Sequence, residues 1–130
     1  MRLTVLAAAT LAWAVATVSS CGGGNTSDRI GIAGECIQDT DCRKVDDIQL
    51  TCLTMFKGGY CGLAGCQQDE DCPLGSVCIN EAGVNYCFRE CVDKPECNAN
   101  RTVDNEANCV ASVTRVGAST SKVCVPPSGS

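Results

Sequence analysis

The chain has no histidine and few aromatic residues: two Phe, two Tyr and a single Trp in 130 residues. Without histidine, neither a Ser-His-Asp triad nor a mixed Cys/His zinc site can form. Trp13 lies in an apolar N-terminal stretch, which leaves four aromatic side chains for the rest of the chain. A chain with so little to bury cannot build a large core, so we expect covalent crosslinks to supply stability.

Two cysteine-based motifs are missing as well. There is no Cys-x-x-Cys pair, which argues against zinc ribbons, iron–sulfur clusters and thioredoxin-type redox centres. There is also no Gly-x-Ser-x-Gly sequence, the strand-to-helix turn that carries the nucleophile of many hydrolases. We therefore expect a protein that is not an enzyme and that holds no cofactor or structural metal.

Cysteine is what the chain has in abundance, with thirteen in 130 residues. At about 10% of a short chain, cysteine indicates a disulfide scaffold. Disulfides persist in oxidising compartments, so export from the cytoplasm is expected. The net charge of −5 argues against a nucleic-acid partner, because the phosphate backbone attracts basic proteins.

The N-terminal residues 1–20 have the pattern of an export signal, a cationic Met1-Arg2 followed by an apolar, Ala-rich stretch. Val18, Ser19, Ser20 and Cys21 resemble the bacterial lipobox. The resemblance implies a diacylglyceryl group on the thiol of Cys21, cleavage just before it and acylation of the new amino terminus. The residue after the cysteine, Gly22, then implies the outer membrane or cell surface of a bacterium.

The parity of the cysteines supports lipidation. Thirteen is odd, and removing Cys21 leaves twelve, or three sets of four. Residues 21–34, rich in Gly, Ser, Asn and Thr, would be a lipidated flexible tether spanning about 20 Å. The alternative is soluble secretion with cleavage near residues 14–16, which would leave Cys21 as a free or intermolecular thiol in an extracellular protein.

The twelve remaining cysteines form three units with five residues between the first and second cysteine of each. We place unit 1 at residues 35–62, unit 2 at 65–88, a diverged unit 3 at 90–125, and a disordered tail at 126–130. The second and third gaps vary, which suggests a fixed framework with loops of free length, since longer loops cost little. The predicted fold is small and disulfide-rich, with three tandem four-cysteine units and little helix outside the signal peptide.

A short β-hairpin is predicted between the third and fourth cysteine of each unit, because glycines there supply the positive φ of a tight turn. In unit 2 the turn contains Gly83, and in unit 3 residues 110–116 and 120–125 would flank Gly117. Between the first and second cysteine we expect a turn or one helical turn in which Asp accepts backbone N–H groups.

Four cysteines allow three pairings, and the sequence does not decide among them. We favour first with third and second with fourth, because this arrangement crosslinks the turn to both strands of the hairpin. The pairs would be Cys36–Cys52, Cys42–Cys61, Cys66–Cys78, Cys72–Cys87, Cys91–Cys109 and Cys97–Cys124.

Two further sets of residues have alternative interpretations. Asp39 and Asp41, like Asp69 and Asp71, place carboxylates two residues apart, which suits either weak calcium binding or turn capping. The longer pattern of an EF-hand is missing, which favours capping.

Tyr60 and Tyr86 precede the fourth cysteine of their units. Packing over the disulfides is favoured over an exposed contact role.

The repeated pattern Cys-x-x-Asp-x-Asp-Cys, then Pro-x-Gly-x-x-Cys, then Gly and Tyr-Cys, is clearest at residues 66–87. It resembles the cysteine-rich repeats of secreted and lipid-anchored myxobacterial proteins, and is faintly similar to Dickkopf-type modules. The resemblance implies a bacterial surface setting and no catalytic residues. We expect a lipid-anchored protein with a structural, adhesive or binding role toward a protein or surface polymer. The alternatives are a soluble secreted effector or inhibitor and a calcium-dependent surface module.

Overall fold

A computed structural model of the protein describes residues 31–45 and 47–127. All twelve cysteines of this part are joined in six disulfides. Helix in this part is limited to α1 (Lys94–Cys97) and three single 3₁₀ turns, so the predicted class, a small disulfide-rich protein of short strands, is confirmed. None of the helices among these residues has the length and apolar character required to span a bilayer.

Short antiparallel strands make up most of the regular structure. In chain order they are β1 (Lys44–Val45), β2 (Ile48–Gln49), β3 (Thr51–Cys52), β4 (Cys61–Gly62), β5 (Ser76–Glu81), β6 (Val84–Cys91), β7 (Asn108–Val110), β8 (Thr114–Arg115) and β9 (Lys122–Val125). Strand β1 pairs with β2, and β3 pairs with β4. The other five form one sheet in the order β7-β9-β6-β5-β8. Strands β5 and β6 form its centre because they are the longest.

The central hairpin follows the sequence prediction. Strands β5 and β6 pair from Ser76 opposite Arg89 to Glu81 opposite Val84. The two turn residues, Ala82 and Gly83, both have positive φ, at 51° and 85°. Positive φ at both central positions matches the right-handed twist of the flanking strands, which is why such turns favour glycine.

All three units share one arrangement of cysteines. In each, the third and fourth cysteines face each other across two antiparallel strands: Cys52 and Cys61, Cys78 and Cys87, Cys109 and Cys124. Their disulfides run back to the loop that holds the first and second cysteines. The Cα–Cα distances repeat, at 5.8, 5.9 and 6.0 Å for the first–third pairs and 5.4, 5.4 and 5.3 Å for the second–fourth pairs. The diverged third unit therefore keeps the same framework.

The units are nevertheless not separate bodies. Strand β6 is continuous from Val84 to Cys91, so the boundary placed between residues 88 and 90 lies inside a strand. The hairpin predicted between residues 110–116 and 120–125 is right in part: Val110 pairs with Val123, but Thr114 and Arg115 form β8, which pairs with the outer edge of β5. Strand β9 lies between β6 and β7. A hairpin of β5 and β6 alone would leave two open edges, and unit 3 covers both of them.

One core serves all three units, and aromatic rings form its centre. The ring centroid of Phe56 lies 6.0 Å from that of Tyr60, 5.3 Å from that of Tyr86 and 5.7 Å from that of Phe88. Tyr60 and Tyr86 are only 0% and 7% exposed, which confirms their prediction as core residues. The same buried cluster contains Ile32 and Val123, near the two ends of the described chain, and Leu50 of unit 1.

Both ends of the described chain are packed more tightly than the sequence suggested. Ile32 and Ala33 are each 1% exposed, and the backbone N–H of Ala33 donates to the carbonyl of Cys61. The flexible tether predicted for residues 21–34 is therefore wrong for its last residues, because Ile32 enters the core. At the other end Pro126 is buried and the carbonyl of Pro127 accepts from Lys57, so the disordered tail is wrong for these two prolines.

Candidate functional site

The two acidic turns proposed as calcium candidates are single 3₁₀ turns, Asp39–Asp41 and Asp69–Asp71. The carboxylate of Asp41 accepts the backbone N–H groups of Ile37 and Gln38, at 2.9 and 3.1 Å. These bonds favour the charged form and lower the pKa of Asp41. In unit 2 the carboxylate of Asp71 accepts the equivalent pair of N–H groups, at 2.7 and 3.2 Å.

The first aspartate of each turn makes a different link. Asp39 accepts the backbone N–H of Cys52 at 2.8 Å, and Asp69 accepts that of Cys78 at 3.0 Å. Each bond joins the turn to the strand that carries the third cysteine of its unit. The predicted role of these carboxylates as acceptors of backbone N–H groups is confirmed.

Unit 3 keeps half of this arrangement. Glu96, directly before the second cysteine, accepts the backbone N–H of Val92 at 2.6 Å, as Asp41 and Asp71 do for their units. Lys94 stands where the other units have the first aspartate. The link from the turn to the third cysteine through a carboxylate at that position is therefore lost in unit 3.

These hydrogen bonds favour turn capping over calcium binding. The second oxygen of Asp69 accepts the backbone N–H of Ser119 at 3.2 Å, so both oxygens of this carboxylate face N–H groups that would repel a cation. In the part of the chain that the structure describes, every cluster of three potential metal ligands consists of cysteines. Those cysteines are all in disulfides, and metals bind thiolates rather than disulfides.

The disulfides of the structure are the first–third and second–fourth pairs of each unit, the arrangement that we favoured from the sequence. They run Cys36–Cys52, Cys42–Cys61, Cys66–Cys78, Cys72–Cys87, Cys91–Cys109 and Cys97–Cys124. The lipidation candidate, Cys21, lies outside the described residues, as do the signal peptide and most of the tether.

A half-buried hydrogen-bond network around Arg101 and Glu35, between units 1 and 3, had no signal in the sequence. The guanidinium of Arg101 donates to the carbonyls of Gly59 and Ala33, at 2.8 and 3.1 Å, and lies 6.0 Å from the ring centroid of Tyr60. Burial lowers the pKa of Arg101. The carboxylate of Glu35 accepts the N–H and the hydroxyl of Thr102, each at 2.8 Å. The backbone bond from Thr102 is the largest cause of the lowered pKa of Glu35.

An exposed apolar groove is the second feature that the sequence did not predict. It has a volume of about 490 Å³ and lies in unit 1 between Ile37 and the loop that carries Met55 and Lys57. Ile37 and Met55 are 87% and 53% exposed. One signal was available, since Ile37 follows the first cysteine at the position where unit 2 has the polar Gln67.

Comparisons with known proteins identify no relative. No protein-family model, no curated protein and no solved structure matches the chain.

Proposed function

We propose that this protein is a lipid-anchored surface module of a bacterium, attached to the membrane through acyl chains on Cys21 and acting in a structural, adhesive or binding role. The coarser part of this statement rests on the fold. Six disulfides in fewer than a hundred described residues belong to an oxidising environment and to the class of small extracellular binding or structural modules.

The cysteine count is the observation that carries the lipid anchor. Every one of the twelve cysteines after Cys21 has a partner among the other eleven. Cys21 therefore has no cysteine left to pair with inside the chain, and it follows the aliphatic-small-small pattern of a lipobox. Acylation gives this thiol a chemical role that pairing does not. Three acyl chains, at about 0.8 kcal/mol per buried methylene, would make a durable anchor.

A non-catalytic role is part of the proposal. Among the described residues, the carboxylates with a lowered pKa, Glu35 and Asp41, accept hydrogen bonds from neighbouring backbone N–H groups. The raised pKa of Tyr60 comes from its burial in the core. These shifts have structural causes, whereas catalytic groups typically combine a shifted pKa with a cleft that admits substrate. The ligand is expected to be a protein or a surface polymer.

The mass of the native protein, before and after reduction, tests the anchor. We expect the mature chain to begin at Cys21, to carry the mass of its acyl groups, and to gain two hydrogens for each of six disulfides when reduced. A Cys21→Ser variant, made with a leader that is cleaved without lipidation, should lose the acyl mass and leave the membrane fraction while keeping all six disulfides. A native chain without acyl mass would overturn the proposal in favour of a soluble secreted effector or inhibitor.

A further inference from the structure

The apolar groove of unit 1 is held open by hydrogen bonds to both of its walls. On one side Asp41 fixes the backbone of Ile37. On the other, the carbonyl of Gly58 accepts the N–H of Cys36 at 3.0 Å, so the loop cannot move away from the first cysteine. The backbone beneath Ile37 and the loop that carries Met55 are therefore held in place, which lowers the entropy cost of binding an apolar partner.

The ends of the chain itself are poorly suited to fill this groove. The C-terminal end reaches its rim, where the backbone N–H of Lys57 donates to the carbonyl of Pro127. The three residues beyond Pro127 are Ser, Gly and Ser, which offer no apolar side chain. Between Cys21 and Gly31, the apolar residue is Ile30 in an otherwise small and polar sequence. These residues on either side of the described part are therefore poorly suited to fill the groove, and a separate partner is the better occupant.

Charge and position favour a lipid surface as that occupant. Lys57 is the one charged residue that lines the groove, and the carboxylate of Asp41 behind Ile37 accepts two backbone N–H groups. The lining therefore suits contact with the phosphates of lipid headgroups. The acylated residue would lie ten positions before Gly31 and sixteen before Ile37. A Gly-rich segment of ten residues has a root-mean-square length of about 17 Å, so the groove would stay within reach of the membrane.

Tethering makes a small contact sufficient. Once the acyl chains are inserted, the groove is held near the bilayer at an effective concentration in the mM range. The state with Ile37 and Met55 inserted is then populated even if their insertion is weak. Two apolar side chains with a basic residue beside them are the composition of many interfacial contacts. A second copy of the chain is a poorer occupant, because a stable dimer buries roughly 800 Å² on each partner, far more than these two side chains supply.

We propose that the groove is the face with which the protein rests on the membrane, with Ile37 and Met55 entering the boundary between headgroups and acyl chains. This inference depends on the lipid anchor proposed above, and it deepens that proposal by fixing the orientation of the folded part. Unit 1 would lie against the lipid.

Tryptophan fluorescence tests the orientation, because the mature chain contains no Trp of its own. We would place Trp in the groove with Met55→Trp, purify the acylated protein and reconstitute it in phosphatidylcholine vesicles with brominated acyl chains. The matched control is Leu74→Trp, since Leu74 is 71% exposed and belongs to unit 2, away from the groove lining. We expect the Met55→Trp emission to shift to the blue and to lose much of its intensity. The Leu74→Trp emission should keep the intensity it has with unbrominated lipid.

The outcomes separate the two proposals. An acylated Met55→Trp protein whose emission matches that of Leu74→Trp in both lipids would overturn the docking face and leave the anchor intact. A chain without acyl mass would overturn both. If the Cys21→Ser form of Met55→Trp, made with a leader that is cleaved without lipidation, shows the blue shift without vesicles, and the shift grows with protein concentration, the groove binds a second copy and the lipid assignment is wrong. Mass before and after reduction checks that each variant keeps six disulfides.

Discussion

The hydroxyl of Tyr60 donates a hydrogen bond to the carbonyl of Cys124 at 3.1 Å, across 64 positions of the sequence. The same hydroxyl accepts the backbone N–H of Arg89 at 3.0 Å. One side chain of unit 1 is thus bonded to the end of unit 3 and to the strand that joins units 2 and 3. Because Tyr60 is fully buried, these bonds have no water to replace them.

Removing this hydroxyl should therefore destabilise the whole fold. We expect Tyr60→Phe to lower the free energy of unfolding by about 1–3 kcal/mol, since two buried backbone groups lose a partner while the ring remains. Denaturant titration with the disulfides intact measures the change. Tyr86→Phe is the matched control, because Tyr86 lies in the same ring cluster and no other described residue bonds to its hydroxyl. Equal effects of the two variants would contradict this assignment.

Two glycines with positive φ should differ sharply in their tolerance of a methyl group. Gly59 has φ +67°, and a Cβ there would overlap the carbonyl oxygen of Cys36, whereas Gly83 has φ +85° with open space around it. Gly83→Ala should cost about 1–2 kcal/mol through backbone strain alone. Gly59→Ala should also prevent the loop from closing on Cys36 and sharply reduce the yield of protein with six native disulfides. Similar oxidation yields for the two variants would show that the loop adapts.

Glu35 should make stability depend on pH. Its pKa is lowered from the ordinary 4.5 by the bond from the Thr102 backbone. Its contribution is therefore complete above that value and is lost as the pH falls through the folded pKa. We expect Glu35→Gln to melt at a lower temperature than the native protein near neutral pH, with the gap closing in acid.

Thermal unfolding across the acid range measures this gap. Glu81→Gln is the control, because Glu81 lies at the end of β5 and its side chain makes no hydrogen bond to another described residue. A gap between Glu35→Gln and the native protein that stays constant down to strong acid would show that the carboxylate acts through its shape rather than its charge.

Asp69 should stabilise the protein without calcium. Its carboxylate accepts the N–H groups of Cys78 and Ser119 and so joins units 2 and 3. We expect Asp69→Asn to cost about 1–2 kcal/mol, equally in the presence of calcium and of a chelator. Glu70→Gln, at the neighbouring exposed position, should have little effect. A melting temperature that falls with chelator in the native protein but not in Asp69→Asn would revive the calcium-dependent module.

Whether a sequence prediction was right depended on how far apart in the sequence the interacting residues lie. The turns at Asp39–Asp41 and Asp69–Asp71, and the turn at Gly83, were predictable because the N–H groups that cap the turns lie 3 or 4 positions away and the chemistry of Asp and Gly is local. The partners that Tyr60, Glu35 and Arg101 find in other units lie 29 to 70 positions away. No periodicity or motif connects such residues.

In unit 3, too, pairings between segments distant in the sequence could not be predicted. Its Val- and Thr-rich segments were correctly expected to contain strands, and Val110 pairs with Val123 as expected. The pairings of β8 with β5 and of β9 with β6 were missed, because the open edges of β5 and β6 are a property of the assembled sheet. Ile32 was placed in a flexible tether because its neighbours are glycine and alanine. Its burial depends on the space that units 1 and 3 leave between them.

The sequence alone determined the covalent character of this protein: a disulfide scaffold, a repeated spacing of cysteines and capped acidic turns, since each follows from residue type and short-range spacing. Only the tertiary structure decided that the three units share one core, that units 2 and 3 share one sheet, and that Ile37 and Met55 are left outside the core. The physical reason is that short units bury too little alone, so their remaining apolar surface and strand edges are satisfied by one another.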